Sequence, residues 1–176
     1  MIRNFFVMLS VLFFAAGCAP SNWKVVRQAK PNPFKSGAPA FKATAIDFGS
    51  AQMAGVAKTM NKKKFKTDLS FLSRHYRKAL LRSMNGKGVK IFTGKANPGV
   101  YVLRAVATTI DPGSAQKPSM IELKVQILKN NRIQDVITVK SSTKFEKAKS
   151  VSARMQMDGK NLGEYVGKYL SKRLGK

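Results

Sequence analysis

Met120-Ile-Glu-Leu-Lys-Val-Gln-Ile-Leu128 sets Ile121, Leu123, Val125 and Ile127 against Glu122, Lys124 and Gln126. A period of two marks a strand buried on one face only. Asn130-Asn131 follows, and an Asn pair tolerates the left-handed backbone of a tight hairpin turn. Residues 133–143 are therefore the returning strand. Ile133, Ile137 and Val139 stay in phase there, and Val136 breaks the pattern as a bulge would. Upstream, residues 101–110 are apolar on both faces, as expected of a central strand, and Asp111-Pro-Gly-Ser114 turns the chain after it. Residues 41–48 read as a first strand and residues 89–92 as a short second one.

A sheet with one apolar face needs a cover, and two amphipathic segments supply it. Thr67 or Asp68 is positioned to cap a helix that runs to Met84 and ends at Asn85-Gly86. Its apolar face is Leu69, Leu72, Tyr76, Ala79 and Leu80. Asp158 opens a second helix that runs to Leu174, with Leu162, Tyr165, Val166, Tyr169 and Leu170 inward. Gly159, Gly163 and Gly167 recur along it. Each Gly costs roughly 1 kcal/mol against Ala inside a helix, so the stripe is expected to let the backbone approach the sheet closely. Residues 49–66 read as a loop, and residues 145–157 carry no assigned element. The expected fold class is α+β: one antiparallel or mixed sheet of about five strands, with both helices packed on one face.

The N-terminus has a different grammar. Arg3 is followed by an apolar run over residues 5–14 and then Ala15-Ala16-Gly17-Cys18. Charge, short apolar core and small residues are the order of a secretory signal. Its end resembles the bacterial lipobox. That resemblance implies cleavage before Cys18 and acylation of Cys18 with palmitate-type chains. Ala19 in place of Asp after the cysteine implies sorting to the outer membrane, facing the periplasm. Ala15 stands where the lipobox prefers leucine. Two or three acyl chains make such an anchor effectively permanent. The expected layout is a leader over 1–17, a lipidated cysteine and flexible tether over 18–40, and a domain over 41–176. Pro20, Pro31, Pro33 and Pro39 support the tether reading. Trp23 either docks on the domain or sits at the lipid interface.

Charge is the sharpest remaining feature. The formal net charge is +25, from 33 basic and 8 acidic residues. Such a balance favours polyanionic partners. Residues 58–95 carry Lys58, Lys62, Lys63, Lys64, Lys66, Arg74, Arg77, Lys78, Arg82, Lys87, Lys90 and Lys95 against the single acid Asp68. The first nine are the candidate anion-binding residues. The loop cluster and the outer face of the helix are expected to form one surface, suited to anionic headgroups, lipopolysaccharide phosphates or acidic partners. Lysines act there as point charges rather than as bidentate forks. Nucleic acid fits less well, because Phe65 and Phe71 are the only aromatics placed to stack on bases.

Nothing in the chain converges on catalysis. One Cys and one His exclude an internal disulfide, a cysteine-based zinc cluster and any His pair. The acids Asp47, Asp68, Asp111, Glu122, Asp135, Glu146, Asp158 and Glu164 form no pair with metal or acid/base spacing. Asp68 and Asp158 read as helix-start residues. No metal and no cofactor is expected beyond the covalent lipid on Cys18.

The Ala-Ile-Asp-Phe strand at 45–48, the helix ending in Asn-Gly, the Ile-Asp-Pro-Gly-Ser turn at 110–114, the long hairpin and the glycine-bearing last helix together resemble a family of small bacterial lipoproteins. Over residues 42–174 the layout is similar to penicillin-binding-protein-activator and curli-secretion lipoproteins, and more distantly to lipopolysaccharide-assembly lipoprotein. The resemblance implies a non-enzymatic accessory or assembly factor acting through an envelope protein partner. It also implies no particular ligand residues. The alternative from composition is direct binding of an anionic envelope polymer such as lipopolysaccharide, or of nucleic acid, through the basic 58–95 surface. The protein-partner reading calls for an apolar or aromatic patch on the exposed face of the sheet.

Overall fold

The computed structural model describes residues 22–35, 37–58, 60–95 and 97–176. The leader over 1–17 and the lipidation candidate Cys18 lie outside the described residues. In chain order the elements are β1 (Trp23–Arg27), β2 (Ala40–Ala43), β3 (Gln52–Met53), a 3-10 turn (Gly55–Lys58), α1 (Lys62–Met84), β4 (Lys90–Phe92), β5 (Tyr101–Asp111), β6 (Met120–Lys129), β7 (Arg132–Ser141) and α2 (Val151–Leu174). The fold is α+β, with one mixed sheet ordered β1-β7-β6-β5-β2-β4 and β3 added on β5.

The β6–β7 hairpin forms as its alternation requires. Asn130 and Asn131 both take positive φ, 49° and 60°, the signature of a two-residue type I′ turn. The bulge falls two residues before Val136. Ile127 faces Asp135 while Leu128 faces Ile133, so Gln134 is the extra residue. That shift turns Ile133 to the face opposite Ile137, while Asp135, on the near side of the bulge, keeps the inward phase of Ile137. β5 is central, antiparallel to β6 and parallel to β2. α1 connects β2 to β4, which are also parallel, completing a βαβ unit.

The inward positions Leu103, Ala105, Ala107, Ile121, Leu123, Val125, Ile127, Ile137 and Val139 are all 0% exposed. They meet Leu72, Tyr76 and Leu80 of α1 and Met155, Leu162, Val166, Tyr169 and Leu170 of α2 in a single core. Burying one such side chain contributes about 1.5–3 kcal/mol.

Four sequence expectations change. The sheet has seven strands rather than about five, because β1 and β3 join it. The tether expected over 18–40 becomes part of the domain from Trp23 onward. β1 pairs antiparallel with β7, Trp23 packs against the core, and Phe34 is buried between Phe41 and Tyr101, with ring centroids 5.8 and 5.0 Å away. Tyr101 fixes that segment by donating its hydroxyl to the Pro33 carbonyl at 2.9 Å.

Both helices also start earlier than their acids. Asn61 caps α1 by accepting from the Lys63 and Lys64 amides, and Ser150 caps α2 by accepting from the Ala153 amide. Asp68 and Asp158 are therefore buried in helix interiors, not at helix starts. Finally, the glycine stripe of α2 faces α1 rather than the sheet. A Cβ at Gly159 would fall on the Leu72 carbonyl, one at Gly163 on the Tyr76 carbonyl, and one at Gly167 on the Ser83 side chain.

A buried ionic corner ties the segment after β1 to β7 and to the last turn of α2. Asp135 accepts from Tyr169 Oη at 2.6 Å, Arg173 Nε at 2.8 Å and the Ala29 amide at 2.8 Å. Asn32 Nδ2 donates to the Arg173 carbonyl at 2.7 Å. α2 thus lies over the β7–β1 side of the sheet. α1 lies over the β2–β4 side, where Ser73 Oγ accepts from the Ile46 amide.

Candidate functional site

α1 is 23 residues long, about 34 Å from end to end. Its inward half is Phe65, Asp68, Leu72, Ser73, Tyr76, Ala79, Leu80 and Met84. The other half carries most of the cations. At 100° per residue, Lys63, Lys64, Arg74, Lys78 and Arg82 fall on the side turned away from the core, Lys66 and Arg77 flank it, and Lys62 sits at the helix start on the azimuth of Leu80. Lys58 precedes them in the 3-10 turn. All nine are exposed except Arg77, which is half-buried. The structure therefore places the sequence-predicted residues on one helix and its approach, as one surface.

The cations of this surface are not neutralised by ion pairs among the described residues. The ion pairs among the described residues are Arg104–Asp47, Lys117–Asp111, Lys140–Glu122, Lys160–Glu164 and Arg173–Asp135. None includes any of the nine cations. Arg74 lies 4.9 Å from the centre of the Phe71 ring, which orients its guanidinium without neutralising it. The Nε of Arg77 is buried and has no hydrogen-bond partner among the described residues. Lys62, Lys63 and Lys64 occupy the first turn of α1, which holds no acid, although the helix dipole disfavours positive charge there.

Between α1 and α2, where the glycines bring the backbones together, the outer surface dips into a groove of 360 Å³ lined by His75, Lys78, Arg82, Ser83, Lys160 and Glu164. Burial, then the charges of Arg74 and Lys78, hold His75 below its ordinary pKa of 6.5. It stays neutral at neutral pH, so the groove owes its charge to lysine and arginine.

The buried acids serve the fold. Asp158 accepts from Ser141 Oγ and Thr143 Oγ1, each at 2.7 Å, and joins α2 to the end of β7. Asp68 accepts from Ser152 Oγ and joins the two helices. Asp111 accepts from the Gly113 amide at 3.0 Å and from Lys117 Nζ at 2.7 Å, closing the Asp-Pro-Gly-Ser turn. Gly113 has φ 71° and packs against the backbone of Lys117 and Ser119, so the turn has no room for a side chain there. Among the described residues, no three of His, Cys, Asp or Glu come together as a metal would need.

Two further surfaces stand out; a patch on the first is expected from sequence without its residues, and the second is not expected. The first is the helix-free face of the sheet. Register puts Phe92, Lys42, Val102, Leu128 and Ile133 in one row across it, a short apolar band interrupted by one lysine. The next rows carry Arg104, Gln126, Val136 and Arg27, then Val106, Lys124, Thr138 and Lys24. The second is the outer edge of β1, where Val25 and Val26 are 42% and 58% exposed. The Trp/Val alternation of residues 23–27 was the available signal, and the surrounding prolines masked it.

The chain matches no family model and no curated protein. Among solved structures it is similar to PelC from Paraburkholderia phytofirmans, described as a dodecamer, at 12% identity over 82% of this chain and 97% of that one, with a TM-score of 0.42. It is similar to the hypothetical protein CT253 from Chlamydia trachomatis at 7% identity over 78% and 98%, TM-score 0.47. It is also similar to XCC0632 from Xanthomonas campestris, a DUF330 protein, at 10% identity over 85% and 93%, TM-score 0.46. At these identities and TM-scores, none of the three bears on what this chain does or how it assembles.

Proposed function

We propose that this chain is a non-enzymatic accessory lipoprotein, anchored through Cys18 in the bacterial outer membrane and facing the periplasm, that presents the cationic face of α1 to an anionic envelope polymer. The observation that carries the reading is the set of nine cations on and before α1 with no carboxylate paired to any of them among the described residues. Three of those cations stand where the helix dipole opposes them. A sequence that breaks a local rule without a folding benefit points to a function at that place.

The test is binding of the purified protein to lipopolysaccharide, and to duplex DNA as a second polyanion, across a salt series. Binding should weaken steeply as salt rises. Each lysine at an anionic surface contributes about 1 kcal/mol. Replacing Lys62, Lys63 and Lys64 by Ser should therefore weaken binding roughly a hundredfold. Unchanged affinity in that variant removes α1 as the binding surface. Stronger binding to DNA than to lipopolysaccharide makes the ligand a nucleic acid.

A second reading has its own observation. The band of Phe92, Val102, Leu128 and Ile133 on the helix-free face is the kind of patch a protein partner covers. Crosslinking in intact cells, followed by recovery of one protein at high salt, would favour it. That partner should be lost on Leu128→Asp and kept on the triple lysine replacement.

A further inference from the structure

We propose that the β1 edge of the sheet docks on the anionic surface of the same bilayer that holds the acyl chains, so that α1 is turned away from that bilayer. This rests on the anchoring at Cys18 proposed above and adds an orientation to it.

The first argument is reach. Trp23, the first residue of β1, lies five residue steps after Cys18, with four residues between. Fully extended, these steps span at most about 18 Å. The tether is therefore too short to lift the domain clear of its membrane, and β1 is the element held closest to it. The sheet then extends away: five strand spacings separate β1 from β4 in its order, a further distance of about 24 Å. α1 lies over that far side.

The second argument is charge. Residues 19–46 contain no acid, and Lys24 and Arg27 lie on β1 with Lys30 just after it. Juxtamembrane cations of this kind are each worth about 1 kcal/mol at an anionic lipid surface. The third is shape. Val25 and Val26 project from an edge strand at a bulge, between Lys24 and Arg27. A groove of 730 Å³ runs beside them, lined by Lys24, Val26, Thr138, Lys140 and Glu122, the last two ion-paired at 2.7 Å, so Lys24 is its unneutralised cation among the described residues. Apolar side chains flanked by cations are what an interfacial segment offers to headgroups and the acyl boundary. An edge strand with exposed valines is also a liability unless something covers it, and the bilayer surface is the cover within reach.

Trp23 is the only tryptophan in the chain, so its fluorescence reports on this edge. The intact lipoprotein is purified from membranes, and its mass determines whether Cys18 is acylated. It is then reconstituted into vesicles of phosphatidylethanolamine and phosphatidylglycerol containing lipids brominated near the headgroup. The expected result is quenching of Trp23. Replacing Val26 by Asp, with Lys24→Glu and Arg27→Glu, should abolish the quenching while the far-ultraviolet circular dichroism and the acyl mass stay unchanged. An acylated protein whose Trp23 is not quenched overturns the docking and leaves the anchoring intact. A chain without acyl groups overturns the anchoring; docking then stands only if anionic vesicles still quench Trp23 and purely zwitterionic ones do not. Pairing of two copies through β1, trapped as a Val26→Cys disulfide in place of quenching, would assign the edge to self-association and overturn the proposal.

Discussion

Lys63 stands in the first turn of α1, directly after its Asn61 cap, where amide dipoles favour a carboxylate. Lys63→Glu should stabilise the fold by about 1 kcal/mol at low salt. Thermal unfolding should then rise by about 2–4 °C for a chain of this size, while polyanion binding falls. Asp158 makes the opposite kind of statement. Burial raises its pKa above the ordinary 3.8, and the hydrogen bonds from Thr143 and Ser141 and the charge of Arg154 only partly offset it. A carboxyl raised in the native state contributes its full stability below its ordinary pKa. That contribution is lost as pH climbs through the raised value. Urea midpoints of Asp158→Asn, measured from about pH 4 to about pH 7, should lack that decline relative to the parent. Asp111 works in the other direction. Burial would raise it, but the Lys117 hydrogen bond, the Gly113 amide and the Lys117 charge together hold it low, so its contribution disappears as pH falls below 3.8. The sequence shows these acids but not their roles. Asp68 and Asp158 look like helix starts because lysines follow the true cap of α1, and a polar run hides the first turns of α2.

At the level of elements, the glycines of α2 are best understood as half of a contact. Gly163 leaves room for the Tyr76 carbonyl, which is backbone and cannot rotate aside. Gly163→Ala must push the helices apart, and overpacking of this kind costs typically 1–3 kcal/mol. Chemical denaturation should show that loss, and the groove beside His75 should widen with it. The stripe was legible in sequence as a close approach; its target was not, because spacing reveals a face and not the element it meets. The strands divide in the same way. β5, β6 and β7 announce themselves through alternation and turn residues. β3 is two residues long, and β1 is five residues amid prolines, so neither carries enough period to be read alone. Of the surfaces, the cationic face of α1 was visible in the spacing of its lysines and arginines. An apolar patch on the open sheet face was expected, but its residues were not named, because the band exists only once the strands align.

Across the whole molecule, the sheet separates two environments. One face carries both helices and the core; the other is open, with cations and one apolar band. The β1 edge and the α1 surface lie on opposite sides, so under the proposed anchoring a single domain has one region for its membrane and another for something beyond it. The pairing of β1 with β7 also has a consequence in time. A chain delivered N-terminus first releases β1 more than a hundred residues before the strand that receives it. During that interval the first strand waits, and the sheet is complete only when the last hairpin and then Arg173 arrive to form the corner around Asp135. Synthesis thus presents the molecule with its boundary first and its centre last, and the final helix acts as the latch.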